Sequence, residues 1–181
     1  MLDEFWKWWI LSMVTINTCI NSVVFIVGRK FKKEKKMSKE SLKEKIKIHE
    51  GYRNTIYKCS QGFRTIGYGH KVVHTDDLVD GKEYPKEKLE QIFEKDFQKG
   101  WDLMQLFCNE NNLQNISDTA KEIICEMIFQ MGFAGVGKFK NMIKALQNND
   151  TKTASMEMLD SRWAKQTPNR AKELSDTMAN A

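Results

Sequence analysis

The feature that most constrains this chain is a charge-free run over residues 8–27, WWILSMVTINTCINSVVFIV. A helix of that length rises about 30 Å, the thickness of a bilayer's hydrocarbon core. Trp6, Trp8 and Trp9 cluster at one end, where interfacial aromatics belong, and a basic run over residues 29–36 follows the other. The length and the charge order do not suit a cleaved signal peptide, and no small-residue cleavage site follows. The pattern predicts an N-terminal transmembrane helix over about 8–27 within a separate unit, residues 1–36. A buried core helix is the alternative. Ser12, Thr15, Asn17, Thr18, Asn21 and Ser22 make the segment only weakly hydrophobic. Counting Lys and Arg alone, the positive-inside rule puts the body of the chain in the cytoplasm.

Charge separates this unit from the rest. Residues 1–36 hold seven Lys/Arg against three acids, whereas residues 37–181 hold 22 against 21. A body so close to neutral offers no basic face for nucleic acid, which is excluded as a partner. Four cysteines are too few for a disulfide scaffold.

In the body, Ser41-Leu-Lys-Glu44 has capping-box spacing, and Leu42, Ile46 and His49 continue a helical stripe that ends near Glu50-Gly51. Residues 52–74 alternate, are rich in Tyr, Ile, Thr, Phe and Val, and are broken by glycines, which predicts a small antiparallel sheet. Tyr84-Pro85 opens a long helix over residues 85–108, with Pro85 at its first position and one apolar face running from Leu89 to Phe107. Further helices are expected over 117–131, 138–147, 150–164 and 168–179, with Ile123, Ile124, Met127 and Ile128 as core. Strands first and helices after give an α+β fold in two lobes: residues 37–84 as a sheet lobe that includes the first helix, 85–108 as the connecting helix, and 109–181 as a helical lobe.

Residues 50–70 read EGYRNTIYKCSQGFRTIGYGH, with Glu50, Cys59, Thr65 and the ending Ile66-Gly-Tyr-Gly-His70. Two further blocks follow in order: Phe129-Gln-Met-Gly132 with Gly135-Val136, then Ser161-Arg-Trp163 with Gln166-Thr-Pro-Asn-Arg170-Ala-Lys172. Together they resemble the T-even phage lysozymes over roughly residues 40–180, where any one block alone is modest support. The resemblance implies a muramidase that hydrolyses the β-1,4 bond between N-acetylmuramic acid and N-acetylglucosamine in bacterial peptidoglycan, as the endolysin that lyses a phage's host. It also implies the phage-lysozyme fold, a monomer and no cofactor.

Breaking a glycosidic bond takes an acid on the leaving oxygen and a second group on the opposite face of the sugar. The resemblance gives the acid role to Glu50, which must hold a proton near neutral pH. It gives Cys59 and Thr65 the attacking water, with inversion at the sugar. The commonest family residue at position 59 is Asp. A thiol, mostly protonated at pH 7, is a weaker charge there but a potent base or nucleophile once ionised. Arg170 matches a position that reaches the catalytic Glu, and Phe129 matches a sugar contact whose plainer reading is core packing. Three other contact positions carry changed residues, Lys71, Met142 and Glu157, and are not assigned to binding. The family register sets Asp96 opposite His70 as an ion pair. His49, His70 and His74 complete no tetrahedral metal set.

The expected location is the host inner membrane through residues 8–27, with the catalytic domain acting in the periplasm after export or release, or made first in the cytoplasm. Met37 is an alternative start. Cys19 and Cys59 make a redox step conceivable, with Cys108 or Cys125 as a temporary cap on Cys59. The rival function is a catalytically impaired, membrane-tethered peptidoglycan-binding protein.

Overall fold

A computed structural model describes residues 38–59 and 62–181. The expected membrane segment, the basic run and Met37 lie outside the described residues. Among the described residues no helix is long and apolar enough to cross a membrane.

Helix α1 spans Lys39–Glu50. Its N-cap is Ser38, whose Oγ accepts a hydrogen bond from the Ser41 N–H at 3.4 Å. The helix therefore begins one turn before the expected Ser41 cap, because Ser41 supplies one of the otherwise orphan donors that the cap satisfies. Gly51, at φ +69°, ends it and returns its N–H to the Lys47 carbonyl. Only glycine takes that backbone cheaply, so Glu50 is held as the last helical residue.

Three strands form one antiparallel sheet in the order β1 (Arg53–Lys58), β2 (Arg64–Gly67), β3 (His70–Lys71). Tyr57 faces Thr65, Lys58 faces Arg64, Thr65 faces Lys71, and an irregularity lies between Arg53 and Tyr57. The Tyr84 N–H donates to Asn54 O and ties the following loop back to β1.

Helix α2, Lys86–Glu110, starts one residue later than expected, with Pro85 as N-cap. Its 25 residues run about 37 Å and serve two hydrophobic clusters. Leu89 packs with Ile66, Leu78 and Tyr84 against the sheet. From Phe93 onward the helix enters a larger cluster with α3 (Asp118–Met131), where Ile123, Ile124, Met127 and Ile128 are buried as the periodicity predicts. Four more helices and one single turn complete that cluster: α4 (Phe133–Val136), α5 (Lys140–Gln147), α6 (Thr151–Leu159), α7 (Arg162–Gln166) and α8 (Pro168–Ala179).

Two differences from the sequence reading have clear causes. The single helix expected over 150–164 is broken at Asp160-Ser161, because Ser161 caps a new helix by accepting the Ala164 N–H. The first helix, grouped with the sheet by chain order, sends Leu42 and Ile46 into the large helical cluster instead. Both side chains are fully buried there. The result is an α+β fold: a small three-stranded antiparallel sheet followed by helices, with α2 packed on both.

Candidate active site

Helix α1 is pinned along both flanks by charged contacts. Lys43 reaches Glu94 and Lys47 reaches Glu90 on α2 (both 2.6 Å), while Lys45 reaches Glu122 and His49 reaches Glu126 on α3. Tyr68 also donates to Glu90 at 2.7 Å. Burial first, and then that hydrogen bond, push the Tyr68 phenol up to about 12, so it remains a donor at all working pH values. Tyr68 packs between Tyr52, tilted to it, and Phe93, edge-on, with centroids 5.1 Å from each, which joins the sheet to α2.

This platform presents Glu50. One carboxylate oxygen accepts from Arg170 Nη1 at 2.8 Å, and both side chains are largely buried (12% and 20% exposed). Arg170 stands in the first turn of α8, behind Pro168. On the other side is Gly69, at φ +86°, in the β2–β3 turn. A Cβ there would lie 3.4 Å from Glu50 Oε2, so glycine gives both the turn and the room.

Cys59 and Thr65 meet through one carbonyl. Phe63 O accepts the Cys59 N–H at 2.9 Å and the Thr65 hydroxyl at 3.1 Å. The Gly62 N–H closes the turn onto Cys59 O. Residues facing across an antiparallel ladder share a face, so Tyr57, Thr65 and Lys71 point the same way, with Cys59 and Phe63 beyond them. Thr65 is 4% exposed.

A cavity of about 490 Å³ opens beside Gly69, lined by His70, Lys71, Asp96, Lys99 and Phe129 among others. Phe129 belongs to both core and cavity: its ring packs on Phe93 at 5.8 Å and fits over Gly100, where a Cβ would stand 3.4 Å away. Of the positions not assigned to binding, Lys71 lies over the Phe63 ring, Met142 is wholly buried, and Glu157 accepts from Asn141.

His70 Nδ1 lies 2.7 Å from Asp96, and Nε2 lies 3.1 Å from Asp76, a partner the sequence did not reveal. The hydrogen bond to Asp96 raises the His70 pKa against desolvation, and Asp76 adds to it. A raised histidine stabilises the fold fully below its unfolded pKa, near 6.5, and loses that contribution as pH climbs through the folded pKa. His70→Asn is therefore expected to cost about 1–2 kcal/mol at pH 5 and clearly less at pH 8.5. Urea melts at the two pH values measure this; an equal loss at both would exclude the charged pair.

The reading that Cys108 or Cys125 caps Cys59 needs correction. Both thiols are free and sit inside the large cluster. Burial pushes them up to about 11 and about 12, which leaves almost no thiolate for exchange.

The family model described as phage lysozyme matches residues 47–177. A probable T4-type lysozyme 2 of Dictyostelium discoideum is 28% identical over 151 residues, covering 72% of this chain and 89% of its own. An endolysin of Acyrthosiphon pisum secondary endosymbiont phage 1 is 29% identical over 120 residues, covering 66% of this chain and 75% of its own. The peptidoglycan hydrolase gp36 of Pseudomonas phage phiKMV is 26% identical over 130 residues, covering 72% of this chain and 14% of its own.

Proposed function

The chain belongs to the phage lysozyme family, a peptidoglycan-hydrolysing glycoside hydrolase family, and from that premise we propose which residues carry the reaction. The observation that supports the reading most is the Glu50–Arg170 contact at 2.8 Å: a carboxyl at a helix end, largely shielded from water, next to Gly69, which lines the cavity. Glu50 is the acid. It gives its proton to the bridging oxygen as the bond from that oxygen to the anomeric carbon breaks. Cys59 and Thr65 hold the water. Its oxygen bonds to the anomeric carbon from the opposite face, and its proton leaves through the Cys59 sulfur to solvent. The product sugar is inverted.

The substrate bond is the β-1,4 link from N-acetylmuramic acid to N-acetylglucosamine. Phe129 lies against the sugar chain, Arg170 orients Glu50, and His70 with Asp96 fixes the strand that carries Thr65. Digestion of purified cell-wall sacculi with the full chain tests this. Muropeptides with new reducing ends on muramic acid, formed first as the α-anomer by proton NMR, are the expected products. A new reducing end on glucosamine would exclude the bond, and a β-anomer would exclude the direct water attack.

The enzyme works as a monomer in host lysis. Residues 8–27 hold it at the host inner membrane, and its catalytic domain meets peptidoglycan in the periplasm. The charge-free run flanked by tryptophans and lysines supports this. Protease added to intact spheroplasts should digest the domain. Full protection until the membrane is ruptured would contradict the export.

A further inference from the structure

The cavity beside Gly69 does not end at its rim. Lys99 and Leu103 on its wall also line a second recess, of about 520 Å³, together with Lys95, Gln98, Asp102 and Leu106. The two recesses therefore meet at Lys99 and Leu103. Positions 95, 99, 103 and 106 fall on one face of α2, because residues three or four apart on a helix are neighbours. From Lys95 to Leu106 that face runs about 16 Å, the reach of an extended peptide of about five residues.

Charge along this track is one-sided. Each acid that lines it already has a polar partner: Asp96 contacts His70 Nδ1 at 2.7 Å, and Asp102 accepts from the Gln98 amide at 2.7 Å. The cations have none. Lys71 stands 3.3 Å from the centre of the Phe63 ring, which holds its ammonium without neutralising it. Among the described residues Lys71, Lys95 and Lys99 form no ion pair. Val73, Leu103 and Leu106 give the track its apolar surface, and Val73 and Leu106 are exposed. Lysines without a counterion beside exposed aliphatic groups suit a ligand that carries both carboxylates and small apolar side chains. A glycan's hydroxyls and acetamides supply neither. The short peptide borne by muramic acid in the cell wall supplies both, as free carboxylates and alanine methyls. We propose that the track takes this peptide stem, with Lys71 and Lys99 on its carboxylates and Leu103 and Leu106 against its methyls. The enzyme thereby selects glycan by the charge of its peptide, cleaving strands with free carboxylates in preference to strands with carboxamides. The inference rests on the reading that the cavity holds muramic-acid glycan, and it names the form preferred.

The test uses soluble glycan strands from purified walls, one portion untouched and one with its peptide carboxylates converted to primary amides. Release of reducing ends by the full chain gives kcat and KM on each. KM should be about five- to tenfold lower on the free-carboxylate strands, with kcat similar. Lys99→Gln should raise KM on those strands about threefold and shrink the preference by the same factor. Neutralising the lysine and amidating its partner remove one contact, so the two losses should not add. Lys152→Gln makes the same charge change at an exposed position on α6 and should keep the full preference. Equal KM on the two portions overturns the proposal. So does a preference lost equally in Lys152→Gln, which would assign it to the field of the whole protein. Lys99→Gln should also melt with the wild type, since glutamine is as good a helix former; activity falling on both portions in step with stability would mean a structural role and overturns the proposal. A second measurement needs no turnover. The free stem peptide, titrated into the labelled full chain, should shift the amide signals of residues 95–106 and of Lys71, and shifts confined to other elements overturn the proposal. If neither portion is cleaved, the glycan reading of the cavity fails. If both are cleaved equally well, only the peptide track fails.

Discussion

Replacing Glu50 by glutamine abolishes wall lysis and leaves the fold intact. Glutamine fills the same volume between Gly69 and Arg170, and its amide oxygen can still accept the Arg170 N–H. It has no proton to give to a leaving alkoxide, and a positioned acid contributes about 10²–10⁴ in rate. The melting curve should shift modestly, because the Arg170 guanidinium loses its anionic partner but keeps a hydrogen-bond acceptor in the amide oxygen. Turbidity loss of a wall suspension, read beside circular-dichroism melts, checks both halves. Activity above about a tenth of wild type would remove Glu50 from the acid role.

The second large effect is at Cys59. In the proposed mechanism Cys59→Ala removes the group that holds and deprotonates the water, and lysis should drop by about 10²-fold or more. Cys59→Asp should restore lysis to the wild-type level or above, because a carboxylate is ionised at pH 7 where an ordinary thiol is not. Both variants keep the backbone hydrogen bonds of this turn, which run through the Cys59 N–H and carbonyl. An alanine variant as active as the wild type would show that Thr65 holds the water without it.

Much of this was legible in the residues. The alternation over 52–74 and the glycines within it announce a sheet with tight turns, and the described strands fall inside that stretch. The apolar stripe of 123, 124, 127 and 128 is buried throughout. The placement of Glu50 at a helix end follows from Glu50-Gly51. Less legible were features decided by partners distant in the chain. Leu42 and Ile46 carry a helical stripe, but nothing local says which cluster will take them. The His49–Glu126 contact spans 77 positions. Its one sequence signal was Glu126 itself, a charge within a buried stripe, which must find a counterion. Asp76 lies in irregular chain, where no periodicity points a side chain at His70. The break at Ser161 is hidden in the sequence because a serine inside a helical pattern can either face solvent or start the next helix, and only the geometry of the turn decides.

The contact between Glu50 and Arg170 joins residues 120 positions apart. During synthesis the first partner leaves the ribosome long before the second exists. Helix α8 also supplies Ala171, Leu174 and Met178 to the cluster that receives Leu42 and Ile46. A chain that stops short of residue 170 therefore carries Glu50 without its Arg170 partner, on a helix whose packing is incomplete. Under the proposed roles, such a chain is expected to be inactive on cell walls until α8 is made.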